Sequence, residues 1–223
     1  MDKAVEGITG TITGSAYEIN RLFPNSLLFG GLILYFVTQN VAYSMFAILV
    51  GEVAVAHSAI EWVLDRIQPR SPATGAAAGT RCVSGYRAAR MEIDRINVQP
   101  DRFPTFSAMT LGSLLSYTIT ALVGFKDTLD AMGPEWGARF YVAAIMGCLF
   151  VVYFIGLRVY TGCETFGEVT AGLAIGALIG LPLYWLNKSI LSDEANNILS
   201  LPYMVDKNKT GEPIYVCAPR MTD

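Results

Sequence analysis

The chain has 223 residues, of which 52% are hydrophobic and only 16% charged, with a formal net charge of −3. Its mean hydropathy is +0.41, whereas about a quarter of the residues of a soluble globular domain are charged. Apolar stretches of the roughly 20 residues that a helix needs to cross a bilayer recur along the chain. The composition excludes an ordinary soluble domain and predicts an all-α, polytopic membrane bundle of four to five spans.

The N-terminal part of the chain divides into a polar and an apolar stretch. Residues 1–26 form a polar segment, and residues 27–64 are almost entirely apolar. As a single helix, the apolar stretch would be roughly 57 Å long, well beyond the roughly 30 Å of a bilayer core. It therefore predicts either two short spans that turn near Gln39 and Asn40 or one long protruding helix, and we favour two.

Three ionisable side chains interrupt this apolar stretch: Glu52, His57 and Glu61. His57 and Glu61 are four residues apart and share one helix face. Ionisable groups inside a membrane are candidates for functional sites, proton relays among them. If the helix protrudes, Glu61 and His57 instead lie among headgroups or in water, and we favour this interpretation.

A polar loop, residues 65–103, follows the first apolar stretch and is rich in arginine. Loops of this kind are retained on the cytoplasmic side of a membrane. Because acidic residues accompany the arginines, contact with anionic lipid is favoured over nucleic-acid binding. The arginines are Arg66, Arg70, Arg81, Arg87, Arg90, Arg95 and Arg102.

Three further spans are predicted, over residues 104–124, 137–156 and 166–186. The first two would return the chain to the side of the arginine-rich loop, and the last would carry a polar tail, residues 187–223, across the membrane. Two N-glycosylation sequons in the tail, at Asn187 and Asn208, offer a test of that topology.

The most specific pattern lies just before the last span. It reads Leu-Arg-Val-Tyr-Thr-Gly-Cys-Glu-Thr-Phe-Gly-Glu and occupies residues 157–168. It resembles the third signature of the type 2 phosphatidic acid phosphatase family, which is Ser-Arg, five residues, His, three residues and Asp. Arg158 stands at the Arg position, Glu164 at that of the nucleophilic His, and Glu168 at that of the Asp.

The start of the span at 104–124 is similar to the second signature of that family, Pro-Ser-Gly-His. Pro104 matches, and Thr105 is a conservative replacement for Ser. Phe106 replaces the Gly, and Ser107 replaces the second catalytic His. The site frame is therefore expected to persist without its two histidines.

The first family signature, Lys, six residues and Arg-Pro, has a weaker counterpart. Glu61 stands at the Lys position, Gln68 at the Arg position, and only Pro69 matches. The resemblance spans about residues 61–186 and implies the helical bundle of the family.

The resemblance implies a chemistry that this chain cannot perform. Family members transfer a phosphoryl group to one His while a second His protonates the leaving group. The single histidine here, His57, matches no signature position. Glu164 and Glu168 would each repel a phosphate charge by about 1 kcal/mol at about 4 Å in water. We therefore expect a pseudoenzyme. Internal pairing of Glu164 and Glu168 with Arg158 is favoured over their binding a cationic ligand.

The leading hypothesis is a structural or partner-binding component of a membrane assembly that docks proteins through loop 65–103 and tail 187–223. Its setting would be a multi-subunit complex or the inner membrane of a large DNA virus. The alternatives are a lipid-phosphate-binding pseudoenzyme, a divergent phosphatase and a proton-coupled carrier. The lipid-phosphate binder would use Arg70, Arg102 and Arg158. The divergent phosphatase would use Glu164. The proton-coupled carrier would use Glu52, His57 and Glu61.

Two further observations concern packing and cofactors. Gly172, Gly176 and Gly180 recur every four residues, and this small face allows close helix approach. The resemblance implies that it packs within the bundle rather than at a dimer seam, because the last helix of the family packs inside its bundle. No metal-ligand spacing and no nucleotide-binding motif is visible, so no cofactor is expected. The four cysteines are far apart and imply no disulfide framework; they are Cys82, Cys148, Cys163 and Cys217.

Overall fold

All regular secondary structure is helical in the part of the chain that the structure, a computed structural model, describes: residues 23–67, 103–126, 134–191 and 196. The five helices described are α1 (Asn25–Thr38), α2 (Val41–Ile67), α3 (Phe106–Gly124), α4 (Pro134–Tyr160) and α5 (Phe166–Ile190). Three of them, α2, α3 and α5, are long and apolar enough to cross a membrane, whereas α1 and the apolar part of α4, Ala144–Tyr160, are shorter.

The first apolar stretch is broken into α1 and α2 where the sequence predicts a turn. Gln39 ends α1 with a φ of +56°, in the left-handed region that stops a helix. The Asn40 side chain then accepts a hydrogen bond from the backbone N–H of Ala42 at 2.9 Å and caps the start of α2. α1 folds back on α2 so closely that a methyl group on Gly31 would lie 2.8 Å from the carbonyl oxygen of Tyr43.

Helices α3 and α5 pack with their backbones in contact. A methyl group on Gly176 would collide with the backbone of Met109, and one on Gly112 with the backbone of Leu173. This approach allows the Ser113 hydroxyl to donate a hydrogen bond across the interface to the carbonyl oxygen of Gly176 at 2.8 Å. The glycine face therefore packs within the molecule, as predicted.

The helix directions bring four helix ends together. Residue numbers rise together along the α3–α5 interface, from Met109 beside Gly176 to Tyr117 beside Tyr184, so the two helices run parallel. His57, in the C-terminal half of α2, contacts Pro104 at the entry to α3. α2 therefore runs antiparallel to α3. The C-terminal end of α2 and the N-terminal ends of α3 and α5 consequently share one end of the bundle, which also receives the C-terminal end of α4.

The larger of two apolar clusters fills the space between α2, α3 and α5. Its fully buried members come from all three helices, whereas α4 exposes most of the side chains described on it. Extensive apolar exposure on the described helices suits contact with lipid. The buried members include Met45, Leu49, Val53, Met109, Tyr117, Ala121 and Tyr184.

The close approach of α3 and α5 yields a prediction for Gly176. In Gly176→Ala the new methyl group must push α3 away, which is expected to lower the free energy of unfolding by about 1–3 kcal/mol. The measurement is reversible unfolding in mixed micelles titrated with sodium dodecyl sulfate. Gly167→Ala is the matched control, because it lies on the same helix and its methyl group would meet nothing within 4 Å. Equal effects of the two substitutions would contradict this packing.

Candidate functional site

The candidate site lies where the four helix ends meet. Ala108 of α3, Phe154 of α4 and Val169 of α5 are buried in one cluster, which holds these three helices together at this end. All five positions that the family resemblance singles out lie within five residues of a member of this cluster, and four of them are buried. The buried four are Thr105, Ser107, Arg158 and Glu164.

Arg158 and Glu164 form a buried ion pair across the turn between α4 and α5. Their side chains are only 3% and 1% exposed. The turn forms because Gly162 adopts a φ of +69°, a region that favours glycine, and the Cys163 N–H donates to the carbonyl oxygen of Arg158 at 3.1 Å. The chain thus reverses within six residues and returns the Glu164 carboxylate to the Arg158 guanidinium.

This pairing decides what the site can bind. The guanidinium at the expected phosphate-ligand position is already neutralised by an internal carboxylate, so an incoming phosphate dianion would have to displace Glu164. Expelling Glu164 would leave an unpaired carboxylate in a buried place, which is costly. Arg158 Nε and Glu164 Oε2 have no hydrogen-bond partner within the described residues. The pair therefore holds by charge and by one contact rather than by a saturated network.

Thr105 and Ser107 are the counterparts of the second signature, and their hydroxyls face the interior. Thr105 occupies the N-cap of α3 with an extended backbone, but its side chain makes no capping bond. The hydroxyl oxygens of Thr105 and Ser107 are buried and find no partner in the described part of the chain. These hydroxyls lack the basic nitrogen that a histidine would offer for proton transfer.

Glu168 takes a different role from Glu164. Its carboxylate accepts the backbone N–H of Thr165 at 2.8 Å, and its own N–H donates to the Thr165 hydroxyl at 3.3 Å. This reciprocal arrangement is a capping box, which satisfies two N–H groups at the start of α5. Of the network expected among Arg158, Glu164 and Glu168, the structure therefore contains the ion pair and turns the third member into a helix cap.

His57 is buried, so its expected position among headgroups or in water is wrong. Its Nε2 donates to the carbonyl oxygen of Pro104 at 2.8 Å, since a carbonyl can only accept. Its ring packs edge-on against Phe106, with 5.5 Å between the ring centroids, and Nδ1 lies 3.8 Å from the Glu61 carboxylate. His57 thus fixes α2 against the start of α3, because the proline-containing entry to α3 leaves a carbonyl free to accept a hydrogen bond.

Glu52 belongs to a second polar cluster, further along the bundle. Asn187 of α5 donates to its carboxylate at 3.0 Å, and the buried Tyr117 hydroxyl donates to the Asn196 amide oxygen at 2.6 Å. Sequence reasoning missed Asn187 as a packing residue because it reads as a glycosylation sequon. Its spacing of seven residues from Gly180, on the glycine face of α5, is the signal that could have found it.

Two remaining expectations concern the lipid-phosphate arginines and the cysteines. Arg70 and Arg102, assigned to lipid phosphate, lie outside the described residues, as does most of loop 65–103 and of tail 187–223. The sequence implied no disulfide framework, but Cys163 is disulfide-bonded, whereas Cys148 is a free thiol on the exposed side of α4.

Comparisons of the chain with models of protein families, with characterised proteins and with solved structures return no match. The resemblance to the phosphatase family therefore rests on the signature residues themselves.

The ion pair yields a prediction that a double-mutant cycle can test. Arg158→Met or Glu164→Leu alone leaves one buried charge unpaired and is expected to lower the free energy of unfolding by about 3–5 kcal/mol. The double variant removes both charges and is expected to be near neutral. Unfolding of all four proteins in mixed micelles gives the coupling free energy.

Arg66→Met is the matched control for loss of a cation, because Arg66 lies on an exposed end of α2 over the Trp62 ring. Its loss is expected to cost about 1 kcal/mol or less. Additive losses in the double variant would show that Arg158 and Glu164 do not neutralise each other.

Proposed function

We propose that this chain is a multi-pass membrane protein with the bundle of the type 2 phosphatidic acid phosphatases, and that it works without catalysis as a structural or partner-binding component of a membrane assembly. The observation that carries the proposal is the buried ion pair between Arg158 and Glu164. It occupies the two signature positions where an active member needs a free cation and a nucleophile. A site closed by its own salt bridge has no group left for phosphoryl transfer.

The arrangement of the helix ends supports the family frame. The starts of α3 and α5 and the end of α4 meet, as the three signatures require if they are to face one site. Helices α3 and α5 run parallel, which is the direction that two spans take when a third lies between them along the chain. A helical bundle that keeps the arrangement of the family but lacks its catalytic residues is what we expect of a pseudoenzyme.

The same geometry is less compatible with the alternative functions. A divergent phosphatase would need Glu164 to attack phosphorus, but that carboxylate is buried against Arg158. A lipid-phosphate binder would need Arg158 free of its partner. A proton-coupled carrier would need Glu52, His57 and Glu61 to exchange protons with each other, yet Glu52 hydrogen-bonds to α5 while His57 faces the entry to α3.

For orientation, we place the arginine-rich loop on the cytoplasmic side and the tail on the opposite side. Six arginines in one loop of fewer than about 60 residues, with Arg66 in the last turn of the preceding helix, are a strong retention signal. The disulfide at Cys163 opposes this placement, because disulfides persist in oxidising compartments and Cys163 lies at the same end of the bundle as the loop. A glycosylation test separates the two orientations.

The test of the catalytic proposal is an assay on phosphatidic acid and on p-nitrophenyl phosphate. We expect no turnover above a mock preparation, because neither a nucleophilic nor an acidic imidazole is available at the site. Vesicles with and without phosphatidic acid should bind the wild type and the Arg158→Met/Glu164→Leu variant equally, because Arg158 is already neutralised. Turnover that disappears in Glu164→Gln would overturn the proposal, and lipid binding lost in the double variant would favour the lipid-binding alternative.

The test of orientation uses the two sequons in cells that glycosylate membrane proteins. With the tail across the membrane, we expect a glycan at Asn208 but none at Asn187, because Asn187 is buried in α5 and hydrogen-bonded to Glu52. The shift in gel mobility should disappear in Asn208→Gln and after glycosidase treatment. An unmodified protein would favour the reverse orientation, which the disulfide supports.

A further inference from the structure

One face of α2 has no neighbour among the described helices. Large apolar side chains are exposed along it at intervals of seven residues, with Val55 72% and Trp62 63% exposed. A seven-residue repeat keeps one stripe facing a partner along a left-handed helix pair. The repeat consists of Val41, Ile48, Val55 and Trp62.

A second row of small residues runs beside the first, also at intervals of seven: Ser44, Gly51 and Ser58. A methyl group on Gly51 would meet nothing within 4 Å, so the surface there is open. The Ser44 hydroxyl donates to the carbonyl oxygen of Val41 at 2.6 Å and the Ser58 hydroxyl to that of Ala54 at 2.9 Å. Both hydroxyls are thus satisfied within α2. We call the two rows together the α2 seam.

Two other sides of α2 are covered by the protein itself. α1 covers the side that carries Tyr43 and Phe46, and α3 and α5 cover the side that carries Leu49 and Val53. The pairing of large residues with a row of small ones is the pattern by which helices approach closely in membranes. Scattered lipid-facing side chains do not need a repeat of small residues.

Glu52 stands at the border between the α2 seam and the core. At 100° per residue it is about 60° around the helix from Val55. One carboxylate oxygen accepts from Asn187, while the other accepts no hydrogen bond from the described residues, and no cation within them is in ion-pair distance. Glu52 lies 11 residues, about 17 Å, beyond Val41, well inside the longest apolar helix available to cross the bilayer.

We propose that the α2 seam binds a transmembrane helix of another protein, and that a Lys or Arg of that helix lies at the depth of Glu52 and pairs with its free carboxylate oxygen. The seam provides the shape and Glu52 provides the charge complement. An acidic group in the apolar interior needs such a partner, and helices in membranes pair opposite charges there. This inference rests on the proposed membrane insertion and gives the proposed partner-binding role a surface.

A second copy of the chain does not fit as the partner. The cations on the described helices lie in the first two turns or the last turn: Arg139 in the second turn of α4, Arg66 in the last turn of α2, Arg158 in the last turn of α4 and Lys188 in the last turn of α5. Arg158 is also committed to Glu164. Lipid headgroups do not reach the middle of a span. The cation must therefore come from a different helix.

The test uses model transmembrane peptides as probes. Donor-labelled protein is reconstituted into phosphatidylcholine vesicles, insertion is checked by flotation, and energy transfer to acceptor-labelled polyleucine peptides of about 21 residues is measured. One peptide carries a central Lys, one a central Leu, and one a Lys moved by about two turns. We expect the central-Lys peptide to bind at least about tenfold more tightly than the other two.

Three variants locate the interaction. Glu52→Gln should remove the preference for Lys, whereas Asp65→Asn, which removes an acid from the exposed end of α2, should keep it. Gly51→Leu fills the α2 seam and should weaken binding of every peptide, whereas Gly147→Leu on α4, where a methyl group would also meet open space, should not.

Equal binding of the Lys and Leu peptides by inserted protein, or a Lys preference that survives Glu52→Gln, would overturn the inference. Protein that fails to float with the vesicles would instead count against the proposed membrane placement. The phosphatase assay measures neither peptide binding nor flotation. Failure of the proposed non-catalytic function is therefore distinguishable from failure of the proposed helix partner.

Discussion

The backbone contact between α3 and α5 is the constraint on which the rest of this molecule depends. Because glycines replace larger side chains at Gly112 and Gly176, the two helices approach until Ser113 can bond to the opposite backbone. In an apolar solvent, where burial of hydrocarbon gives no driving force, close packing and such interhelical bonds hold helices together. The contact also fixes the register of the two helices, and with it the relative position of their first turns.

That register determines where the ion pair between Arg158 and Glu164 can form. Once the starts of α3 and α5 are fixed, the turn from α4 must place its side chains in the space between them. A buried Arg in that space requires a negative partner, and Glu164 supplies it. On the proposed relationship to the phosphatases, a Glu at the nucleophile position would remove the chemistry and supply the negative partner by the same change.

The sequence predicted the helices well and the roles of polar residues less well. Apolar length located α3 and α5, and the polar pair Gln39–Asn40 located the break between α1 and α2. The spacing of Glu164 and Glu168 could not tell an ion pair from a capping box, because the outcome depends on how the Gly162 turn directs each carboxylate. His57 was misplaced for a similar reason: its partner is a backbone carbonyl at Pro104, and no side-chain pattern in the sequence marks such an acceptor.

Polar groups inside the bundle differ in whether the chain itself provides their hydrogen-bond partners. The buried hydrogen bonds of His57 and Tyr117 are each closed by a partner from another part of the molecule. Glu52 accepts a hydrogen bond on one carboxylate oxygen only. It lies beside the α2 seam, which no described helix covers. A half-satisfied carboxylate would be a defect in a protein that acts alone, since an apolar side chain there would be more stable. In the assembly proposed above, the same residue would specify which helix binds and at what depth.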